Sequence, residues 1–87
     1  MSYLKLAFSM IDGGVARIAE ATGVSHRAVG KWQERGKLPR TEFSEETTYA
    51  KTISELPVKD GAFRFSAEEL LRPTPQFLNR LNKLHEI

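Results

Sequence analysis

Three side chains that could donate hydrogen bonds to an anionic partner lie close together in the segment HRAVGKW, residues 26 to 32. At helical spacing, His26, Arg27 and Lys31 fall on one side of the segment, and Val29 and Trp32 fall on the other. Arginine and lysine can donate to O6 and N7 of guanine, and histidine can donate to a base or to a phosphate. The segment therefore predicts contacts with DNA bases, with Arg27 as the first candidate.

Gly30 falls on the same outward side and needs an explanation of its own. In the middle of a helix, glycine costs on the order of 1 kcal/mol relative to alanine. Close approach of the helix to a DNA backbone or base would explain it, and so would a helix that is poorly optimised for stability. Both explanations stay open, and we include Gly30 among the predicted base-contact positions.

Residues suited to catalysis or metal binding are scarce. The chain has no cysteine, which excludes disulfides, a thiolate nucleophile and thiolate zinc ligands. His26 and His85 are far apart without an acidic partner at metal-ligand spacing, so we expect His85 to be a solvated side chain. Gly13-Gly14 lacks the lysine and the preceding strand of a phosphate-binding loop. We expect neither an enzyme nor a metal or cofactor site.

The charge of the chain is distributed unevenly along its 87 residues. The net charge is only +2, but residues 1–40 carry seven Lys and Arg against three acids, and residues 41–69 carry three against seven. A basic front and an acidic back would orient the molecule on a polyanion. Because there is no apolar run of membrane-span length and no signal-peptide pattern, we expect a cytoplasmic protein.

The basic segment belongs to a longer pattern, VARIAEATGVSHRAVGKW, which spans residues 15 to 32. Ala19 supplies the small residue that two closely crossing helices need, and Gly23 can adopt a positive φ at the corner between them. Ser25 can cap the second helix by accepting a hydrogen bond from its first turn. The pattern predicts a helix-turn-helix whose second helix enters the major groove. The alternative is a corner that merely turns the chain.

The rest of the chain is predicted to be mostly α-helical, with one short extended segment. The apolar spacing and the capping signals predict helices over residues 2–11, 14–22, 26–35, from Thr41 or Ser44 to about Glu55, 67–71 after the Ser66-Glu69 capping box, and from Pro75 onward. Alternation of apolar residues predicts a short strand over Ala62-Phe63-Arg64-Phe65. Lys37 and Arg40 flank the extended exit at Leu38-Pro39, where the chain would pass the DNA backbone, so both are predicted phosphate contacts.

The last helix carries an apolar stripe, which consists of Phe77, Leu78, Leu81, Leu84 and, at its end, Ile87. Because it follows the proline-bounded break at residues 73–75, we divide the chain into a DNA-binding domain over 1–73 and a C-terminal helix over 74–87. The stripe could form a dimer interface, or it could fold back and cover the helix over 44–55. The sequence leaves both possibilities open.

The stretch GGVARIAEATGVSHRAVGKWQERGKLPRTEF, followed by ETTYAKTISELP and FRFSAEELLRP, resembles prophage-encoded Cro-like repressors and the related YdaS-type antitoxin regulators. The resemblance covers roughly residues 8 to 73. It implies a lambda-repressor-like helix-turn-helix domain that reads bases with His26, Arg27, Gly30 and Lys31. Many relatives bind a phosphate with a glutamine at the start of the second helix, where this chain has Gly14-Val15. The predicted phosphate contacts are therefore the backbone at Val15, together with Arg17, Ser25, Lys37 and Arg40.

These observations predict a regulator that binds double-stranded DNA sequence-specifically and acts by occupying an operator. A module of this size buries too little for tight binding alone, so we expect a homodimer on a palindromic operator. One alternative is an antitoxin that also binds a toxin protein. Another is a protein-interaction adaptor that uses the helix-turn-helix only as a scaffold.

Overall fold

The computed structural model describes residues 3–85, together with all their side chains except that of His85. This range contains seven α-helices and no strand, in the order α1 Tyr3–Ser9, α2 Gly14–Thr22, α3 His26–Arg35, α4 Arg40–Phe43, α5 Tyr49–Ser54, α6 Ala67–Leu71 and α7 Pro75–His85. The predicted mostly α fold is confirmed. Ser2 and Ile87, which the sequence assigns to the first and last helices, and the side chain of His85 lie outside the described part.

The corner between α2 and α3 forms as the sequence predicts. Gly23 adopts φ 77°, and its N–H donates to the Ala19 carbonyl at 2.9 Å, which closes α2. The hydroxyl of Ser25 accepts a hydrogen bond from the N–H of Ala28 at 3.1 Å and caps α3. A glycine in the left-handed conformation, Gly36 at φ 78°, ends α3.

The core lies between α1 and the helix-turn-helix, and α5 to α7 close it from the other side. Its largest fully buried side chains come from every helix except α4 and from the segments between helices, and they include Phe8, Ile11, Ile18, Leu38 and Phe77. Trp32 of α3 is 6% exposed and stacks on Tyr49 of α5, with ring centroids 5.2 Å apart. This contact joins the helix-turn-helix to the second half of the chain.

The helix predicted from Thr41 or Ser44 to Glu55 is wrong, because two shorter helices occupy this region. α4 ends at Phe43 and α5 begins at Tyr49, so neither Thr41 nor Ser44 is an N-cap. Between them Glu45 adopts φ 64°, a left-handed conformation that side chains rarely take. The sequence contains no proline or glycine here, so the break has no local signal.

Glu42 explains the break. It is the buried charged residue of the described core, at 6% exposure. Its carboxylate accepts hydrogen bonds from the backbone N–H groups of Tyr49 at 2.8 Å and Ala50 at 2.7 Å, and from the Thr47 hydroxyl. The chain must turn after α4 so that the free N–H groups of α5 can face this carboxylate.

The first helix and the expected strand also differ from the prediction. α1 ends at Ser9, and Ile11 leaves the helix to form an isolated antiparallel bridge with Val58. The predicted strand over residues 62–65 is wrong, because this segment is extended but pairs with no neighbouring strand in the described part of the chain. Its two phenylalanines do share a face, since Phe63 and Phe65 both contact the ring of Phe77, at centroid distances of 6.1 and 6.0 Å.

The last helix folds back on its own chain. Thr74 caps it by accepting from the N–H of Phe77 at 3.1 Å, as its sequence indicates. Phe77 and Leu81 are fully buried, and among the helices α7 packs mainly against α1 rather than against α5. Within the described residues, α7 thus contributes to the same core as α1.

Candidate nucleic-acid interface

The outward face of α3 presents the predicted base-contact residues together. His26, Arg27 and Lys31 are exposed, and Gly30 between them is half-buried. The opposite face is closed, because Val29 is fully buried and Trp32 nearly so. The orientation of the helix is therefore fixed by its core contacts, and the basic side chains project into solvent along about one and a half turns.

Ser25, the predicted phosphate contact before α3, already has a structural partner in the N–H of Ala28. Its side chain is exposed, so the hydroxyl lies at the protein surface beside His26. A contact between the Ser25 hydroxyl and a DNA phosphate stays a prediction.

The start of α2 brings Arg17 next to a glycine turn. Gly13 and Gly14 adopt φ 95° and 56°. A Cβ placed on Gly13 would lie 2.8 Å from Cβ of Arg17 and 3.5 Å from its Nε, so the arginine side chain occupies the space beside Gly13. Arg17 therefore folds back along the turn before α2, where the partial positive charge of the helix N-terminus favours anions. Val15 is half-buried against the core, which leaves its backbone as the group that could meet a phosphate.

The exit from α3 forms an open cleft of about 240 Å³, which is lined by Arg35, Lys37, Leu38, Arg40 and Phe43. Three of these five side chains are cationic and none is acidic. The structure thus places Lys37 and Arg40 in one cleft, as predicted. It adds Arg35 and Phe43, which were not among the predicted site residues. Phe43 is the exposed large hydrophobic residue of the described chain, at 39% exposure, and the Arg72 guanidinium lies 5.4 Å from its ring centroid.

Arg35 and Phe43 were missed for different reasons. A basic residue in the last turn of a helix is a common stabilising feature, so Arg35 gave no separate signal. Phe43 lines the cleft only because α4 ends there, and that ending depends on Glu42, which contacts residues five to eight positions later.

The predicted dimer-interface residues do not form one surface. Phe77 and Leu81 fill the core of their own chain, and Leu78 and Leu84 are half-buried at its edge. A second copy could reach only the latter pair without opening the fold.

Neither a metal-binding cluster nor a membrane-spanning helix is found in the part of the chain that the structure describes. The described side chains, which exclude that of His85, contain no group of three or more His, Asp or Glu placed to hold a metal ion. No helix over residues 3–85 is long and apolar enough to cross a membrane.

The glycine corner after α2, the Ser25 cap of α3, and the buried apolar and exposed basic sides of α3 place the chain in the class of small helix-turn-helix proteins. The chain is 41% identical over 58 residues to the 8.4 kDa Cro protein of Escherichia phage HK022, a stretch that covers 67% of this chain and 71% of that protein. The chain therefore belongs to the family of phage Cro regulators, and the resemblance to Cro-like repressors is confirmed. No protein-family model matches the sequence, and no solved structure matches the chain.

Proposed function

We propose that this chain regulates transcription by occupying a double-stranded DNA operator, with α3 in the major groove. The observation that carries the proposal is the two-sided character of α3. Val29 and Trp32 hold one side in the core, and His26, Arg27 and Lys31 project from the other. Such an arrangement matches a recognition helix, whose N-terminal residues meet base edges.

Arg27 is the main candidate for base readout. It lies in the first turn of α3 and is exposed, so its guanidinium can reach O6 and N7 of a guanine. Lys31, four residues later on the same side, can reach a neighbouring base or a phosphate. His26 lies at the first helical position, from which it can donate to either.

Two groups of phosphate contacts would flank the readout face. Arg17 and the backbone at Val15 lie at the start of α2, and Ser25 lies at the start of α3. Lys37 and Arg40 lie in the cleft after α3. Contacts at both ends of the helix-turn-helix would fix the position and angle of α3 in the groove, since phosphate contacts set register and base contacts set sequence.

A single module of this size binds few base pairs, so we propose that two copies bind a palindromic operator with half-sites about one helical turn apart. The dimer contact would use Leu78 and Leu84, the half-buried members of the α7 stripe. Phe77 and Leu81 would keep their places in the core.

The test compares Arg27→Ala, Lys37→Ala and the control Lys51→Ala on a duplex selected by the unmodified protein from a random pool. Arg27→Ala should cost about 1 to 3 kcal/mol on that duplex and relax the preference at one base pair. Lys37→Ala should weaken binding to all duplexes alike and reduce the salt slope by about one. Lys51 is an exposed cation on α5 that belongs neither to the predicted DNA contacts nor to the proposed dimer contact, and its loss should change neither the affinity nor the slope.

Several results would contradict the proposal. Binding that barely responds to salt would favour an apolar protein interface. Equal affinity of Arg27→Ala and the unmodified protein would remove Arg27 from the readout. A changed base preference with an unchanged slope in Lys37→Ala would show that the two roles are exchanged.

A further inference from the structure

Gly30 has no structural explanation within its own chain. It lies in the interior of α3, where glycine is less favourable than alanine because it loses more backbone entropy on folding. Its φ is not positive, unlike that of Gly23 and Gly36 at the ends of helices. A Cβ built on Gly30 would meet no atom within 4 Å. Neither the backbone conformation nor packing therefore requires the missing side chain.

The open space beside Gly30 lies on the readout face. In helical projection Gly30 falls between His26 and Arg27, on the side opposite the buried Val29 and Trp32. If α3 occupies the major groove as proposed above, this space faces a base pair. The absence of Cβ lets the helix axis lie closer to the base edge at this point than the flanking residues would allow.

We infer that Gly30 is a specificity-determining residue that contacts the C5-methyl group of a thymine through its Cα. The chemistry of the surface limits the choice. In the interior of a helix the backbone N–H and C=O groups are already hydrogen-bonded to each other, so a bare Cα offers only van der Waals contact. The thymine methyl is the apolar group that base pairs present in the major groove. This inference rests on the proposed function.

The experiment uses the full chain and a duplex that it selects from a random pool. Three proteins are compared, the unmodified chain, Gly30→Ala, and the control Ala21→Gly, which alters an exposed position of α2 and shifts stability in the opposite direction. Each is measured on the selected duplex, on a scrambled duplex of equal length, and on selected duplexes in which one thymine at a time is replaced by uracil. That replacement removes only the methyl group.

We expect Gly30→Ala to raise the melting temperature by about 4 to 8 °C, because it restores helix propensity without a clash. Its affinity for the selected duplex should fall roughly 5- to 150-fold, the range for overpacking one methyl group into a close contact. Its affinity for the scrambled duplex should be unchanged. One thymine-to-uracil replacement should weaken binding by the unmodified protein and restore part of the affinity that Gly30→Ala has lost, because it removes the methyl group against which the added Cβ packs. Ala21→Gly should melt at a lower temperature and bind both duplexes as the unmodified protein does.

Other outcomes overturn the inference. Equal affinity of Gly30→Ala and the unmodified protein would mean that nothing approaches Gly30. An equal loss on selected and scrambled duplexes would place the sugar-phosphate backbone there instead of a base. Uracil replacements that affect both proteins alike would exclude the methyl contact. If the unmodified protein enriches no sequence at all, the proposed function fails, and this inference fails with it.

Discussion

The buried carboxylate of Glu42 should be one of the largest single contributors to the stability of the fold. It joins α4 to the N-terminus of α5 by accepting from two backbone N–H groups, those of Tyr49 and Ala50, and from the Thr47 hydroxyl. Replacing Glu42, which is 6% exposed, by alanine would remove the acceptor of the two backbone N–H groups, whereas the Thr47 hydroxyl would keep the Thr41 hydroxyl as a partner at 3.1 Å. Hydrogen bonds to a charged group contribute about 1.5 to 3 kcal/mol each, and they do not add fully.

We therefore expect Glu42→Ala to lower the free energy of unfolding by roughly 3 to 5 kcal/mol. The free energy of unfolding of a domain is about 5 to 15 kcal/mol in total, so this loss is a large fraction of the stability. Glu42→Gln keeps the volume and one acceptor oxygen, but its NH2 group would face a donor. Glu42→Gln should therefore lower the free energy of unfolding by about half as much as Glu42→Ala.

The assay is urea denaturation followed by far-UV circular dichroism, with Glu46→Ala as the control. Glu46 is exposed, and its carboxylate accepts from the Ser44 hydroxyl at 3.0 Å, so its loss should change stability little. The reasoning is refuted if Glu42→Ala unfolds at the same urea concentration as Glu46→Ala. An intermediate effect of Glu42→Gln would show that the acceptor geometry, and not only the side-chain volume, stabilises the turn.

Two further variants test the core. Trp32→Ala should cost roughly 3 to 5 kcal/mol, because it removes a nearly buried ring that stacks on Tyr49; a melting temperature within a few degrees of the parent would mean that the faces of α3 are misassigned. Deleting residues 74–87 should unfold the protein, as judged by circular dichroism, because Phe77 and Leu81 leave the core. A truncated chain that stays folded and becomes monomeric by sedimentation would instead support the division at residue 73 and a dimer through α7.

Features set by neighbouring residues could be predicted from the sequence. The boundaries of α2 and α3 follow from Gly23, Ser25 and Gly36, whose hydrogen bonds are made within four residues. The capping box of Ser66 and Glu69 is equally local and forms as expected. For the same reason the outward face of α3 was identified correctly, since helical spacing alone decides which side chains oppose Val29 and Trp32.

Features that depend on contacts between distant residues could not be predicted from the sequence. The break between α4 and α5 depends on a carboxylate whose donors lie up to eight residues away, and no proline or glycine marks it in the sequence. The strand predicted over 62–65 has the right alternation but pairs with no strand within the described residues, and its phenylalanines contact the ring of Phe77 instead. The spacing of the apolar residues in α7 predicts its buried side. It does not predict whether that side packs on the same chain or on a second copy.

The contacts of α1 with α6 and α7 join the two ends of the described chain, so the fold cannot be completed until the last helices have been synthesised. The Tyr3 hydroxyl donates to the Leu70 carbonyl, 67 residues away, and α7 covers α1 from still further along the chain. During translation, at roughly 5 to 20 residues per second, α1 would wait about 3 to 13 s for these partners to be synthesised. The local contacts of α2 with α3 can form in that interval, but the side of α1 that receives α7 stays uncovered. If the chain occupies an operator as proposed, that occupancy should therefore lag behind the synthesis of α3 by at least the time needed to complete the fold.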